Sequence, residues 1–401
     1  MQGWRKVGAL GALLLALLLC GCWNRHELSE LSLVVGMAID KAEDGYRIAV
    51  QVVNPGQVVA QKGAGVSSTV VLFEEEGKTL PEALGRMTTR TPYPLYFAHL
   101  RMVILSEEVA RAGIAKPLDY LSRNNEMRND FYFAVARNST AAEVLKITSP
   151  IESIPANSLY TKLETSDQVW AATGKITLLE LTQDLATEGR NPTLTGIRVV
   201  GNKSAGDSMS NRQYIDPPVE LVYDGMAVFH GDRMVGWLTE MDTKIMNYVR
   251  NRVKKTTAIQ PCPNPEEGTV TLRVERSHAN IDVKLTDGEP VFLIDVRLEQ
   301  DIADMECAMD LSKLDTLYQV EKVSNERLDA LLKSSIAGVQ RRFGSDIYGL
   351  GKKLHSKFPR EWASIDDWNE TFRNVRIDVR GTAILRRIGT TLQPIDYRTR
   401  E

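Results

Sequence analysis

The sequence predicts an α+β fold in two to three domains, with mixed or antiparallel sheets flanked by helices and a lipoprotein signal peptide in front. Three observations carry this. β-Branched runs recur along the chain as hairpins rather than in regular β-α-β alternation. Capped helical segments stand between them in blocks. An apolar run near the start stops abruptly at Leu19-Cys20-Gly21-Cys22 and turns at once into charge.

The start fixes the class of protein. Arg5 and Lys6 precede thirteen residues, Val7 to Leu19, without a charge. A membrane-spanning helix needs roughly 20 apolar residues. The run fits the charged and apolar regions of an export signal instead. Its ending resembles a bacterial lipobox: a branched apolar residue, Leu19, three before the modified cysteine, and a small residue, Gly21, just before it. Cleavage between Gly21 and Cys22 would leave Cys22 as the lipid-bearing N-terminus. Two acyl chains, at about 0.8 kcal/mol per buried CH₂, hold a protein to a bilayer where one does not. Cys20 fits less well, since Leu18 and Leu19 precede it with no small residue. The alternatives are an uncleaved anchor or a cut elsewhere.

The 401 residues are 43% hydrophobic and 25% charged, which excludes a disordered chain and a polytopic membrane protein. No later run is long enough to span a bilayer. Net charge is −3, or −5 once Arg5 and Lys6 leave with the signal, and offers no footprint for nucleic acid.

The elements follow in order. Residues 31–40 and 46–55 are β-branched runs joined by a polar turn and predict an antiparallel hairpin. Residues 68–77 are a third strand. Thr79 caps a helix over 79–90 with Pro81 in its first turn. A strand over 96–106 leads into a helical pair over 107–124, broken near Gly113 and Pro117. A strand at 130–138 and helices at 139–148, 152–168 and 176–189 precede a strand at 193–201. Residues 202–219 are polar, with Gly, Ser, Asn and a Pro pair, and read as a flexible loop or domain link. The expected organisation is therefore 1–21 signal, 22–203 N-terminal α+β region, 204–219 linker and 220–395 C-terminal domain.

The second unit opens with a hairpin over 220–239, turning at His230 to Arg233, and a helix over 240–253. Three period-2 strands follow at 268–277, 279–286 and 290–300. Their inward residues are Val270, Leu272 and Val274, then Ile281, Val283 and Leu285, then Phe292, Ile294, Val296 and Leu298. The longest helix, 317–344, carries Leu328, Leu332, Ile336, Val339 and Phe343 on one stripe, with Gly344 as its C-terminal cap. The simplest architecture packs this stripe on the meander. A strand over 375–389 completes the sheet.

Four cysteines are present, two of them in the lipobox. An exported location permits a bridge between Cys262 and Cys307, which could stabilise by ~4 kcal/mol. Sequence does not place them within bonding distance, and two separate buried thiols are the default expectation. No C-x-x-C or His cluster supports a metal.

The search for chemistry finds no motif. Residues 26–30, His-Glu-Leu-Ser-Glu, lack the second His of a zinc helix. Residues 172–177 end like a phosphate loop, but Val169 stands where its first Gly belongs and Ile176 where Ser or Thr would bind magnesium. No G-x-S-x-G or S-x-x-K occurs. The five His, at 26, 99, 230, 278 and 355, are scattered. Neither catalysis nor a cofactor is expected.

Residues 343–362 stand out for packing. Ser345 can cap a short helix whose apolar face is Ile347, Leu350, Leu354 and Phe358, ended by Pro359. Gly344, Gly349 and Gly351 suggest a bend or a close backbone approach. This predicts a helical elbow that closes the core, with Trp362, Trp368 and Phe372 as core aromatics and Lys352, Lys353, Lys357 and Arg360 exposed. A ligand site is the alternative.

This stretch, Gly344 to Trp362 followed by Asp366 to Phe372, resembles the C-terminal signature of the Ger(x)C family, the lipoprotein C subunits of spore germinant receptors. Residues 21–41, with a Gly-Cys-Trp lipobox leading to a Gly-x-x-Ile-Asp strand, resemble the family's start. Residues 95–114 and 119–145 resemble its central region, and 225–243 the opening of its C-terminal region. Cys20 departs from the pattern, which usually has Ser or a similar residue there. The resemblance implies three α+β domains with mixed sheets, so the N-terminal region is open to being two. It implies no catalysis and a lipid anchor on Cys22 at the outer face of the membrane. It implies partnership with an A subunit and a transporter-like B subunit in the membrane, triggering germination on sensing a nutrient. The other readings are a solute-binding lipoprotein of an uptake system, which the 268–300 meander argues against, and a tethered enzyme.

Overall fold

The computed structural model describes residues 30–54, 68–206, 211, 213–307 and 309–387. Two sheets organise them. The first has nine strands and the second four.

The first sheet begins with the expected hairpin, β1 (Ser32–Ala42) and β2 (Gly45–Val53), extended by β3 (Val70–Gly77) in an antiparallel meander. Helix α1 (Leu80–Met87) follows, capped by Thr79, whose hydroxyl accepts the Glu82 N–H. The run expected as one strand over 96–106 is two pieces. β4 (Leu95–Tyr96) and β5 (Met102–Ser106) both lie parallel to β1. Helices α2 (Glu107–Ala112) and α3 (Ala115–Arg123) cross over to β6 (Tyr132–Arg137). A second crossover to β7 (Thr193–Gly201) runs through α4 (Ala141–Lys146), α5 (Pro155–Val169) and α6 (Leu178–Ala186). β5, β6 and β7 are mutually parallel.

Helices cover both faces. Leu84 and Met87 of α1, Val109 of α2, Leu121 of α3 and Leu181 of α6 share one core with Ile39, Val103, Phe133 and Leu194. Ala142, Leu145, Leu159 and Leu163 of α4 and α5 pack on the other face with Ile104, Ala134 and Ile197. This explains why β5 and β6 are continuous apolar runs without alternation: strands buried on both faces have no polar side.

The polar stretch 204–219 does not lead out of this sheet. β8 (Val219–His230) pairs antiparallel with β7, and β9 (Arg233–Leu238) with β8. The hairpin that the sequence groups with the second unit thus completes the first sheet, in keeping with the tendency of consecutive strands to pair. The N-terminal region builds one sheet. Helix α7 (Glu240–Val249), capped by Thr239, then carries the chain to the second sheet.

That sheet has the order β10 (Thr256–Pro261), β11 (Thr269–Thr286), β12 (Glu289–Met305), β13 (Arg376–Arg387). The two strands expected at 268–277 and 279–286 are one. A bulge between Val274 and Arg276 shifts the register. An extra residue flips the alternation without ending the strand. Inward positions therefore pass from even (Val270, Leu272, Val274) to odd (Ala279, Val283).

β13 runs parallel to β12, so a crossover must join them. It starts with α8 (Leu314–Phe343), whose expected stripe, Leu328, Leu332, Ile336, Val339 and Phe343, is buried. Gly344 ends it at φ +57°, with its N–H on the Val339 and Gln340 carbonyls. Then come α9 (Leu350–Lys357), α10 (Pro359–Trp362) and α11 (Trp368–Asn374).

Cys262 and Cys307 are bonded, with their Cα atoms 5.9 Å apart. The expectation of separate thiols fails because β10 and β12 flank β11. Pro261 pairs with Thr269, and the Glu306 N–H donates to the Thr269 carbonyl, so residues 262 and 307 meet at the strand's end.

Candidate functional site: the junction at the 344–362 elbow

The elbow is a dense polar junction between the two sheets. Its centre is Asp346, fully buried. One carboxylate oxygen accepts the backbone N–H groups of Tyr348 at 3.0 Å and Gly349 at 2.8 Å. The other accepts the Gly351 N–H at 2.8 Å and the Trp368 indole N–H at 3.0 Å. Burial pushes this carboxyl up to about 6, against the pull of the four donors. The sequence proposed Ser345 as the cap. Instead the Ser345 hydroxyl donates to the Phe229 carbonyl in the first sheet, and Gly349 occupies the N-cap of α9.

The elbow closes on the turn after α6. The Asn191 N–H donates to the Asp346 carbonyl at 2.8 Å, and the Lys352 N–H to the Gly189 carbonyl at 3.1 Å. Gly189, at φ +70°, and Gly351 meet backbone to backbone: a Cβ on Gly189 would lie 2.4 Å from the Gly351 carbonyl carbon. That contact needs glycine on both sides. Asn191 links a third segment, donating to Asn369 Oδ1 at 2.7 Å and accepting the Gly231 N–H at 2.9 Å from the β8–β9 turn. His230 meets Asn369 at 3.2 Å. The Trp362 indole donates to Glu188 at 3.1 Å and stacks on His355.

Beneath lies an ion-pair group. Asp184 faces Arg250 at 2.9 Å and Arg190 at 3.1 Å, and Arg250 also donates to Thr193. Asp184 and Arg250 are nearly inaccessible. Burial raises the Asp184 carboxyl and lowers the Arg190 guanidinium, while each opposes the other's shift by its charge. α6, the turn after it and α7 are thereby tied together.

Other expected positions fall as follows. Ile347, Leu350 and Leu354 are buried, and Phe358 is half-buried. Trp368 and Phe372 are core aromatics, and Trp362 is half-buried. Lys352 and Arg360 are exposed and Lys353 is half-buried. Lys357 is exposed but held on β11, its ammonium 2.7 Å from Asp282 and 2.8 Å from the Val283 carbonyl. The segment that ends like a phosphate loop is packed: the Gly174 N–H donates to Thr195, and Lys175 faces Glu164. Gly21 and Cys22 lie outside the described residues, as does His26. Among the described residues no group of three His, Cys, Asp or Glu is placed to hold a metal ion. At this junction Asp346, Asn191 and Asp184 each bind groups from other segments, while the Tyr348 hydroxyl stays buried without a hydrogen-bond partner among the described residues. What the arrangement does is fix one sheet against the other.

Comparison with known proteins agrees along the chain. Residues 24–199 match the family model "Spore germination protein N-terminal domain" and residues 224–389 match "Spore germination B3/GerAC like, C-terminal". Spore germination protein KC of Bacillus subtilis is 28% identical over 97% of both chains. Spore germination protein B3 of the same organism is 24% identical over 89% of this chain and 91% of its own. The crystal structure of the GerBC protein shares the fold, with a TM-score of 0.53 at 17% identity over 87% of this chain and 96% of that one.

Proposed function

The chain belongs to the GerAC/GerBC/GerKC family of spore germination C subunits, and from that premise we propose that it is the lipid-anchored, non-catalytic subunit of a nutrient germinant receptor. It assembles with A- and B-type membrane subunits at the outer face of the cell membrane and, in the spore, of the inner membrane. The observation that carries this reading is one chain combining a lipobox at Leu19–Cys22 with family matches over both halves.

Two further facts support it. No helix among the described residues is long and apolar enough to cross a membrane, so a lipid on Cys22 is the attachment this reading supplies. The chain enters the first sheet at Ser32, whose N–H donates to the Pro94 carbonyl. Nine residues stand between it and Cys22, ten residue steps with a reach of at most about 36 Å, which keeps the folded part near the bilayer. On the elbow, Lys352 and Arg360 are exposed and, in this reading, supply a docking surface for the membrane subunits.

The test is recovery of the membrane subunits with an affinity-tagged chain from detergent-solubilised spore membranes. A- and B-type subunits should co-purify. Lys352→Glu with Arg360→Glu should reduce their recovery while the melting temperature barely moves, because exposed changes usually stay within about ±0.5 kcal/mol. A chain that brings down neither subunit overturns the proposal.

A further inference from the structure

The core of the second sheet is interrupted by polar side chains at inward positions. Along β12, Phe292, Ile294, Val296 and Leu298 are buried, and the next inward place is Gln300. It pairs with inward Val274, and Ile302 beyond it pairs with inward Leu272. On α8, Ser324 stands between buried Val320 and Leu328. On β10 the corresponding residue is Gln260.

Two of the three satisfy each other. The Ser324 hydroxyl donates to Gln260 Oε1 at 2.6 Å, and Gln260 Nε2 donates to the Val320 carbonyl at 3.2 Å. Gln300 differs. It is 3% exposed, and its Oε1 has no hydrogen-bond partner among the described residues. A buried unpaired acceptor is costly. A core that needed only to close would place Leu there.

Gln300 lines a cavity of about 230 Å³ between α7, β10, β12 and α8. Its walls are mainly apolar, with Ile245, Tyr248, Ala258, Leu298, Leu328 and Leu331, beside the mutually bonded Gln260 and Ser324 and the exposed Arg327. Met241 and Ile259, 41% and 57% exposed, stand at the rim. The buried charge at the edge is already engaged: Lys244 pairs with Glu240 at 3.2 Å and lies 3.5 Å over the Trp170 ring. An apolar cavity of about 150 Å³ accepts benzene, so this one has room for a substituted ring. We infer that it is a binding site for a small, uncharged, mainly apolar molecule that donates one N–H or O–H to Gln300. The apolar walls supply affinity and the one unpaired amide oxygen, Gln300 Oε1, supplies selection, because a ligand lacking the donor leaves it unpaired. This goes beyond the receptor reading and does not depend on the anchor.

The experiment uses the chain from Trp23 onward, which holds every described element, with p-cresol as probe and toluene as the control without a donor. Binding is followed by ligand-observed NMR titration. p-Cresol should bind saturably at one site, about tenfold or more tighter than toluene. Gln300→Leu should abolish that preference while keeping toluene binding. Ala258→Phe, which fills the cavity, should remove both. The comparison of the two ligands on the unaltered chain decides the matter even if a variant fails to fold. No saturable p-cresol binding, equal affinity for both probes, or binding that survives in folded Ala258→Phe overturns the inference.

Discussion

Asp346 shows how much one side chain organises. Its carboxylate gathers three backbone N–H groups and an indole from a bend rich in glycine, and its own carbonyl takes the Asn191 N–H from the other sheet. The sequence pointed to the bend but chose Ser345. A local cap can be read from nearest neighbours, whereas the partners of Asp346 include Trp368, 22 residues on, and Asn191. The clue was the run of glycines after Asp346, which frees backbone N–H groups to converge. The pH consequence has a definite sign. With a folded-state value of about 6 against an ordinary 3.8, the folded chain binds this proton more tightly than the unfolded one. Stability from this group is therefore fully present below 3.8 and lost as pH rises through about 6. Asp346→Asn cannot titrate. Urea unfolding from about pH 4 to about pH 7 should show the wild type losing about 2–3 kcal/mol relative to the variant. A constant difference across that window would show that the four donors, not burial, set its ionisation.

At the scale of elements, the second sheet closes one edge in an unusual way. α8 lies antiparallel to β13 and reaches across with Glu321, Asn325 and Asp329, which accept the N–H groups of Leu385, Ala383 and Gly381. The periods match: four helical residues rise about 6 Å and two strand residues about 6.6 Å. Successive carboxylates and amides thus meet alternate donors of a strand edge that would otherwise invite another chain. β3 defends its edge by charge instead, with Glu74, Glu75 and Glu76 paired to Lys146, Arg90 and Arg47. Asn325→Leu leaves the Ala383 N–H unpaired and should cost about 1–3 kcal/mol in urea unfolding. An unchanged midpoint would mean that water replaces the side chain. The bridge between Cys262 and Cys307 closes the opposite side, and replacing both by Ser should lower stability by about 2–4 kcal/mol under oxidising conditions. No loss there would make the bridge incidental. Strands and helices with strong periodicity were readable from sequence, down to the stripe of α8 and its Gly344 cap. The bulge in β11 was not, because a change of phase in a period-2 pattern looks the same as a strand ending.

At the scale of the whole molecule, the hairpin that the sequence groups with the second unit pairs into the first sheet. Polarity in 204–219 suggested a link, yet its ends are neighbours in one sheet. Composition reports exposure of a loop and says nothing of where its ends return. The junction at Asp346, Asn191 and the Asp184–Arg250 pair joins the halves through residues far apart in the chain, and only the stretch 343–362 announced it. Two sheets are tied together in this way, and in the function proposed a lipid on Cys22 would hold them against a membrane. That claim rests on Cys22. The measurement is metabolic fatty-acid labelling of the wild-type chain and of Cys22→Ala, with fractionation of each. The account predicts a labelled wild type in the membrane fraction and an unlabelled variant released from it. Label retained on Cys22→Ala would contradict the account and assign the lipid to Cys20.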